Sequence, residues 1–171
     1  MARYVAFLRG VMPGKPSMAQ LRAAFDSAGF TNVKTVLSSG NVVFDARAAS
    51  EKSLERKADA SMEEEIGRVY AAIVRPLDII EALLESDPFA RFELPPEAKR
   101  VVTFLREPPK AKLPRLPIVL GSARILSVDG REVFTAYERA PGGPVFMTLI
   151  EKTFGKNVTT RTWETLQKVV K

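Results

Sequence analysis

The chain has 171 residues, 46% apolar and 27% charged, with a formal net charge of +6 and neither histidine nor cysteine. That length suits one domain or two small subdomains with a sizeable core. The two missing residue types exclude disulfides, Cys or His nucleophiles and the usual zinc ligands, and no apolar run approaches the roughly 20 residues of a membrane span.

Residues 4–8 are strand-like, and the N-terminus enters this pattern without a leader-like sequence, so a cytoplasmic location is expected. Gly10 to Pro16 is a loop broken by Gly10, Pro13, Gly14 and Pro16. Ser17 followed by Gln20 has the spacing of a capping box, and Met18, Leu21, Ala24/Phe25 and Ala28 recur with helical period, which predicts a helix over 18–28. Val33 to Leu37 and Val42 to Phe44 are short β-rich runs around a turn at Ser38-Ser39-Gly40-Asn41. Ser50 caps a second helix ending at Gly67, with Leu54, Ala58, Met62 and Ile66 as its apolar stripe. Its Glu51, Lys52, Glu55, Arg56 and Glu63 to Glu65 are expected on a solvated face. Tyr70 to Val74 reads as a strand, and Pro76 opens a helix that Asp87-Pro88 stops. The order β-α-β-β-α-β is the ferredoxin-like arrangement.

The second half opens on a copy of the first strand. Val5-x-Phe7-Leu8-Arg9 recurs as Val102-x-Phe104-Leu105-Arg106, offset by 97 residues. Where the first half has a helix, Glu107 to Pro117 holds four prolines, which disfavour one. Arg124 to Val128 and Arg131 to Tyr137 flank Asp129-Gly130, a two-residue hairpin signal. After the loop Pro141-Gly142-Gly143-Pro144, a helix runs from Val145 to Phe154. Trp163, Leu166 and Val169/Val170 form a last helix, with Thr159, Thr160 and Thr162 as cap candidates. The fold class is therefore α+β, two ferredoxin-like subdomains of β-α-β-β-α-β type, the second lacking a regular first helix. The expected organisation is 1–87 as the N-terminal subdomain plus connecting helix, 88–99 as connection, and 100–171 as the C-terminal subdomain with its terminal helix.

Charge divides unevenly along the chain. Residues 1–87 hold 11 basic against 12 acidic side chains, and residues 88–171 hold 15 against 8. A basic half points to an anionic partner, a small molecule or nucleic acid, or serves only solubility. The loop from Gly10 to Ser17 does not fit a phosphate loop. It has three residues between its glycines, and Pro16 separates Lys15 from Ser17. What survives is Arg9, Gly10, Gly14 and Lys15 beside a helix start, a place that favours anions, with a plain tight connection as the alternative. Ser39, Gly40 and Asn41 offer hydroxyl and amide groups, or serve only as turn residues. Arg9 and Arg106 end apolar strands, where a guanidinium grips a carboxylate or phosphate bidentately, forms an internal ion pair or is simply a surface charge. Arg161 and Trp163 add a stacking or anion-binding pair, against the alternative of a core tryptophan beside a solvated arginine. Lys110, Lys112 and Arg115 are candidate nucleic-acid contacts. No metal-ligand spacing and no RNA-recognition strand is present, and no cofactor is implied.

Leu8-Arg9-Gly10, Met18-Ala19-Gln20-Leu21-Arg22, Gly29-Phe30-Thr31-Asn32-Val33 and Ser39-Gly40-Asn41-Val42-Val43-Phe44 together resemble the bacterial domain-of-unknown-function 1697 family. So do Asp87-Pro88-Phe89 and Thr160-Arg161-Thr162-Trp163-Glu164-Thr165. The resemblance implies two ferredoxin-like subdomains and brings no activity. The family continues Leu-Arg-Gly with Ile-Asn-Val-Gly-Gly and closes on Arg-Asn-Trp-Asn-Thr. Here Met12, Thr162 and Glu164 stand where it has asparagine, which implies an altered site if those amides bind a ligand. The reading that results is a non-catalytic module for an anionic ligand, nucleic acid among them, without a membrane partner. The alternatives are an enzyme for a small phosphorylated or carboxylated substrate and a protein-interaction scaffold.

Overall fold

The computed structural model describes residues 1–12, 14–37, 40–109, 112–139 and 145–171. The chain forms two compact units, Met1–Glu85 with Gln167–Lys171, and Ser86–Leu166.

The first unit contains β1 (Ala2–Phe7), α1 (Met18–Ser27), β2 (Thr31–Val36), β3 (Asn41–Ala46), α2 (Glu51–Ile66) and β4 (Ile73–Pro76), and α3 (Leu77–Ser86) leads out of it. Its sheet is antiparallel in the order β2-β3-β1-β4, the ferredoxin-like order. The capping box forms as the spacing predicts. Gln20 N–H donates to Ser17 Oγ at 3.1 Å and Ser17 N–H donates to Gln20 Oε1 at 2.9 Å. Leu21, Ala24 and Phe25 of α1 and Leu54, Ala58 and Met62 of α2 bury against Tyr4, Ala6, Val42 and Phe44 of the sheet. Phe30 stacks on Phe44 at 4.3 Å, and Phe25 meets Phe44 edge-on at 5.5 Å.

Three expectations fail in this unit. The strand read at Tyr70 to Val74 begins only at Ile73, because Ala71 takes φ +44 and interrupts the extended backbone. Pro76, read as opening a helix, is the last residue of β4, which an outer strand tolerates. Glu55 is not on a solvated face. It is buried, and its Oε2 accepts the N–H of Val74 at 2.9 Å. Asp59, one turn on, accepts the N–H of Ala72 at 2.9 Å, and Glu51, one turn back, lies 3.3 Å from Arg75. This row of carboxylates at i, i+4 and i+8 runs along β4.

The second unit contains β5 (Lys99–Leu105), β6 (Ile118–Leu120), β7 (Ala123–Asp129), β8 (Glu132–Tyr137), α4 (Phe146–Phe154) and β9 (Val158–Thr162), followed by α5 (Trp163–Val169). Its sheet runs β6-β7-β8-β5-β9. β5 sits between β8 and β9 as β1 sits between β3 and β4, so the two copies of Val-x-Phe-Leu occupy equivalent strands. The proline-rich segment leads into the short outer strand β6, where the first unit has α1. β9 is a correction. Thr159 and Thr160, read as helix caps, lie in this strand, while Thr162 both ends it and accepts the N–H of Thr165 at 3.3 Å. Leu149 and Ile150 of α4 bury against Leu105, Ile125, Val133 and Val158. Elsewhere in the unit, Phe89 packs edge-on against Phe134 at 5.7 Å and Trp163 at 5.2 Å.

Candidate functional site

Three loops meet where β1 ends. The N–H of Leu8 donates to Gly40 O and that of Arg9 to Tyr70 O, both at 2.8 Å. Arg9, Gly10, Gly40 and Asn41 are thereby brought to one end of the first sheet. Most of these groups are committed to the fold. Asn41 is buried, and its Nδ2 donates to Val36 O at 3.0 Å across the hairpin. Gly40 has φ +82, and a Cβ there would lie 2.9 Å from Val11 Cγ2 and 3.1 Å from Leu8 Cβ. The loop turns back on itself through paired hydrogen bonds between Met12 and Lys15. The capping box already uses two of the polar groups at the start of α1 that an anion would need.

Arg9 is half-buried here, and Lys15, Gly10 and Gly14 are exposed. Sequence reasoning missed Arg68, whose Nη2 comes to 3.9 Å from a Cβ built on Gly10 and whose guanidinium lies over Tyr70 at 5.0 Å. Met12, one of the positions where the resembled family has asparagine, is 64% exposed. Ser39 lies outside the described residues.

Arg161 and Trp163 belong to the other unit. Arg161 is buried in β9, and its Nη1 donates to Thr159 Oγ1 at 2.7 Å and Thr160 O at 2.9 Å. Burial pulls its guanidinium down to about 10. Trp163 is buried beside Phe89.

The equivalent end of β5 is open. A cleft of about 540 Å³ is lined by Leu105, Arg106, Pro108, Pro109, Thr153 and Asn157, with Glu107 the one carboxylate among the described lining residues. One side is the proline-rich segment, which carries exposed Lys112 and Arg115; Lys110 lies outside the described residues. The other is the end of α4, where Lys152 and Lys156 are exposed next to the lining residues Thr153 and Asn157. The helix C-terminus carries about half a negative charge that opposes an anion, and two full positive charges there outweigh it.

Dividing charge by unit softens the contrast along the sequence. The second unit has 13 basic against 9 acidic side chains, and the first has 13 against 11, because Lys168 and Lys171 join the first and Asp87 joins the second. Among the described residues no group of three potential metal ligands occurs, and no helix is long and apolar enough to cross a membrane.

A family model described as "Protein of unknown function (DUF1697)" matches residues 1–134. The chain belongs to that family. The match includes the Arg9 loop, the β5 strand and the basic segment, and stops short of Arg161 and Trp163. A solved structure, "conserved bacterial protein SP0830 from Streptococcus pneumoniae", is similar over 99% of this chain and 97% of that one, at 19% identity and a TM-score of 0.69. At that identity the likeness shows the DUF1697 chain's fold alone. No curated protein matches.

Proposed function

We propose that this protein is a non-catalytic module for an anionic ligand, and that the ligand sits in the cleft at the end of β5. The observation that carries this reading is Arg106 on the wall of a cleft of about 540 Å³, beside exposed Lys112, Arg115, Lys152 and Lys156. That volume falls in the range of roughly 300–1,000 Å³ typical of ligand sites. The non-catalytic part rests on chemistry. The chain has no His or Cys, and Glu107 stands as a single carboxylate, whereas acid–base catalysis generally needs a second group positioned against the first. The basic loop extends the cleft's positive surface, which suits a phosphate-bearing chain such as single-stranded nucleic acid.

The test is a mobility-shift series with a single-stranded oligonucleotide over increasing salt. Affinity should fall with a log–log slope of about −0.7 for each phosphate contact. The triple variant Arg106→Ala/Lys112→Ala/Arg115→Ala should bind at least about tenfold more weakly, as expected for losing charge-assisted contacts. Arg9→Ala should bind as the parent does. Absence of binding at low salt, or an equal loss in Arg9→Ala, would reject the assignment.

A further inference from the structure

A second cleft of the Ser86–Leu166 unit lies at the opposite end of β5, about 17 Å along the strand from the first. Its volume is about 390 Å³, and its lining includes Phe89, Phe92, Pro95, Pro96, Arg100 and Glu164. Phe89 rests on buried Trp163 at 5.2 Å, and the Arg100 guanidinium lies over the Trp163 ring at 6.0 Å. Arg91 covers Phe92 in the same way at 4.9 Å. Among the described residues the lining thus sets one cation and one anion among rings and prolines, and most of the surface it offers a ligand is polar.

Those two charges do not neutralise each other. Among the described residues, the side chains of Arg100 and Glu164 make no ion pair and no hydrogen bond. Arg100 is half-buried, with the indole beneath its guanidinium. A dianion is a poor fit, because Glu164 would repel it and a single guanidinium faces it. A simple cation is opposed by Arg100 in the same way. A ligand with one charge of each sign answers both walls. We infer that this cleft binds a small zwitterion, a free α-amino acid, its carboxylate toward Arg100 and its ammonium toward Glu164.

Trp163 is the single tryptophan of the chain and touches the lining residues Phe89 and Arg100, so its emission reports on this cleft through them. The experiment titrates the full chain with L-leucine, N-acetyl-L-leucine and L-leucine amide while following Trp163 fluorescence. L-leucine should give a saturable change in the millimolar range. Each capped analogue should bind at least about tenfold more weakly, the loss expected when one charge-assisted contact goes. Glu164→Gln, at an exposed position, should bring N-acetyl-L-leucine level with L-leucine. Arg100→Met should remove the response to both, with unchanged circular dichroism as the check on folding. No saturable response to L-leucine overturns the inference, and so does equal binding of either capped analogue by the parent chain.

Discussion

The ends of β1 and β5 start from nearly the same sequence, an apolar strand closed by arginine, and finish as opposites. After Arg9 the chain folds tightly. Gly40 is pressed against Val11, Asn41 holds the Val36 carbonyl, and Ser17 and Gln20 satisfy each other. After Arg106 the prolines forbid a helix, the segment runs out to the short outer strand β6, and a cleft of about 540 Å³ is left. The strand motif therefore does not make a site. What decides is whether the following residues pair off their polar groups internally or leave room and charge.

The comparison can be broken most forcefully at Gly40. A Cβ there would clash with Val11 and Leu8 at a φ of +82. Gly40→Ala is expected to destabilise by about 3 kcal/mol, combining backbone strain with overpacking. Gly14 has φ +78 with open space around it, so Gly14→Ala should cost only about 1 kcal/mol. Urea unfolding followed by circular dichroism checks both, and equal losses would mean that the β1 end is not closed by packing. Asn41→Ala comes next, at about 1–2 kcal/mol, because the Val36 carbonyl loses its buried donor. A change within the error of the urea midpoint would show that the amide is not needed to shut the hairpin.

The smallest effect asks whether surface charge contributes to the stiffness of the first unit. Asp45 accepts a hydrogen bond from Asn32 Nδ2 at 2.7 Å and pairs with Arg3 at 2.8 Å, and these hold its carboxyl below the ordinary 3.8. A carboxyl lowered by folding lends stability that is fully present above its unfolded value and is lost as pH falls through the folded one. Asp45→Asn should therefore flatten the acid limb below about pH 4 and change stability at pH 7 by less than about 1 kcal/mol. A steep acid limb that survives in the variant would place the acid sensitivity elsewhere.

Much of this architecture was legible in the residues. The capping box, the apolar stripe of α2, the Asp129-Gly130 hairpin and the repeated strand all express local rules, and local rules are what a sequence displays. The losses have a common cause. β9 is five residues rich in threonine, and such residues cap helices as readily as they line strands; only its pairing with β5 decides. Glu55 sits on a helix among charged neighbours, and nothing local says that the N–H of Val74 will meet it. The candidate clefts were half visible. Arg106 and the lysines stood out through the strand repeat and the prolines. Arg100 and Glu164 are 64 residues apart and ordinary in their own surroundings, so they become a pair only through the sheet.

The carboxylates along β4 have a consequence for how the molecule behaves in company. An outer strand is normally a template on which another extended chain can grow. Ala72 and Val74 have their amide hydrogens already engaged by Asp59 and Glu55, so that margin of the sheet is closed from within its own fold. On the far margin, β2 carries an irregular register between Thr31 and Lys34 and an exposed lysine, which discourage the same growth. Both sides of this sheet thus resist strand-by-strand polymerisation. The amides of residues 72 and 74 should show it as hydrogen exchange far slower than their place at the rim of the sheet would suggest.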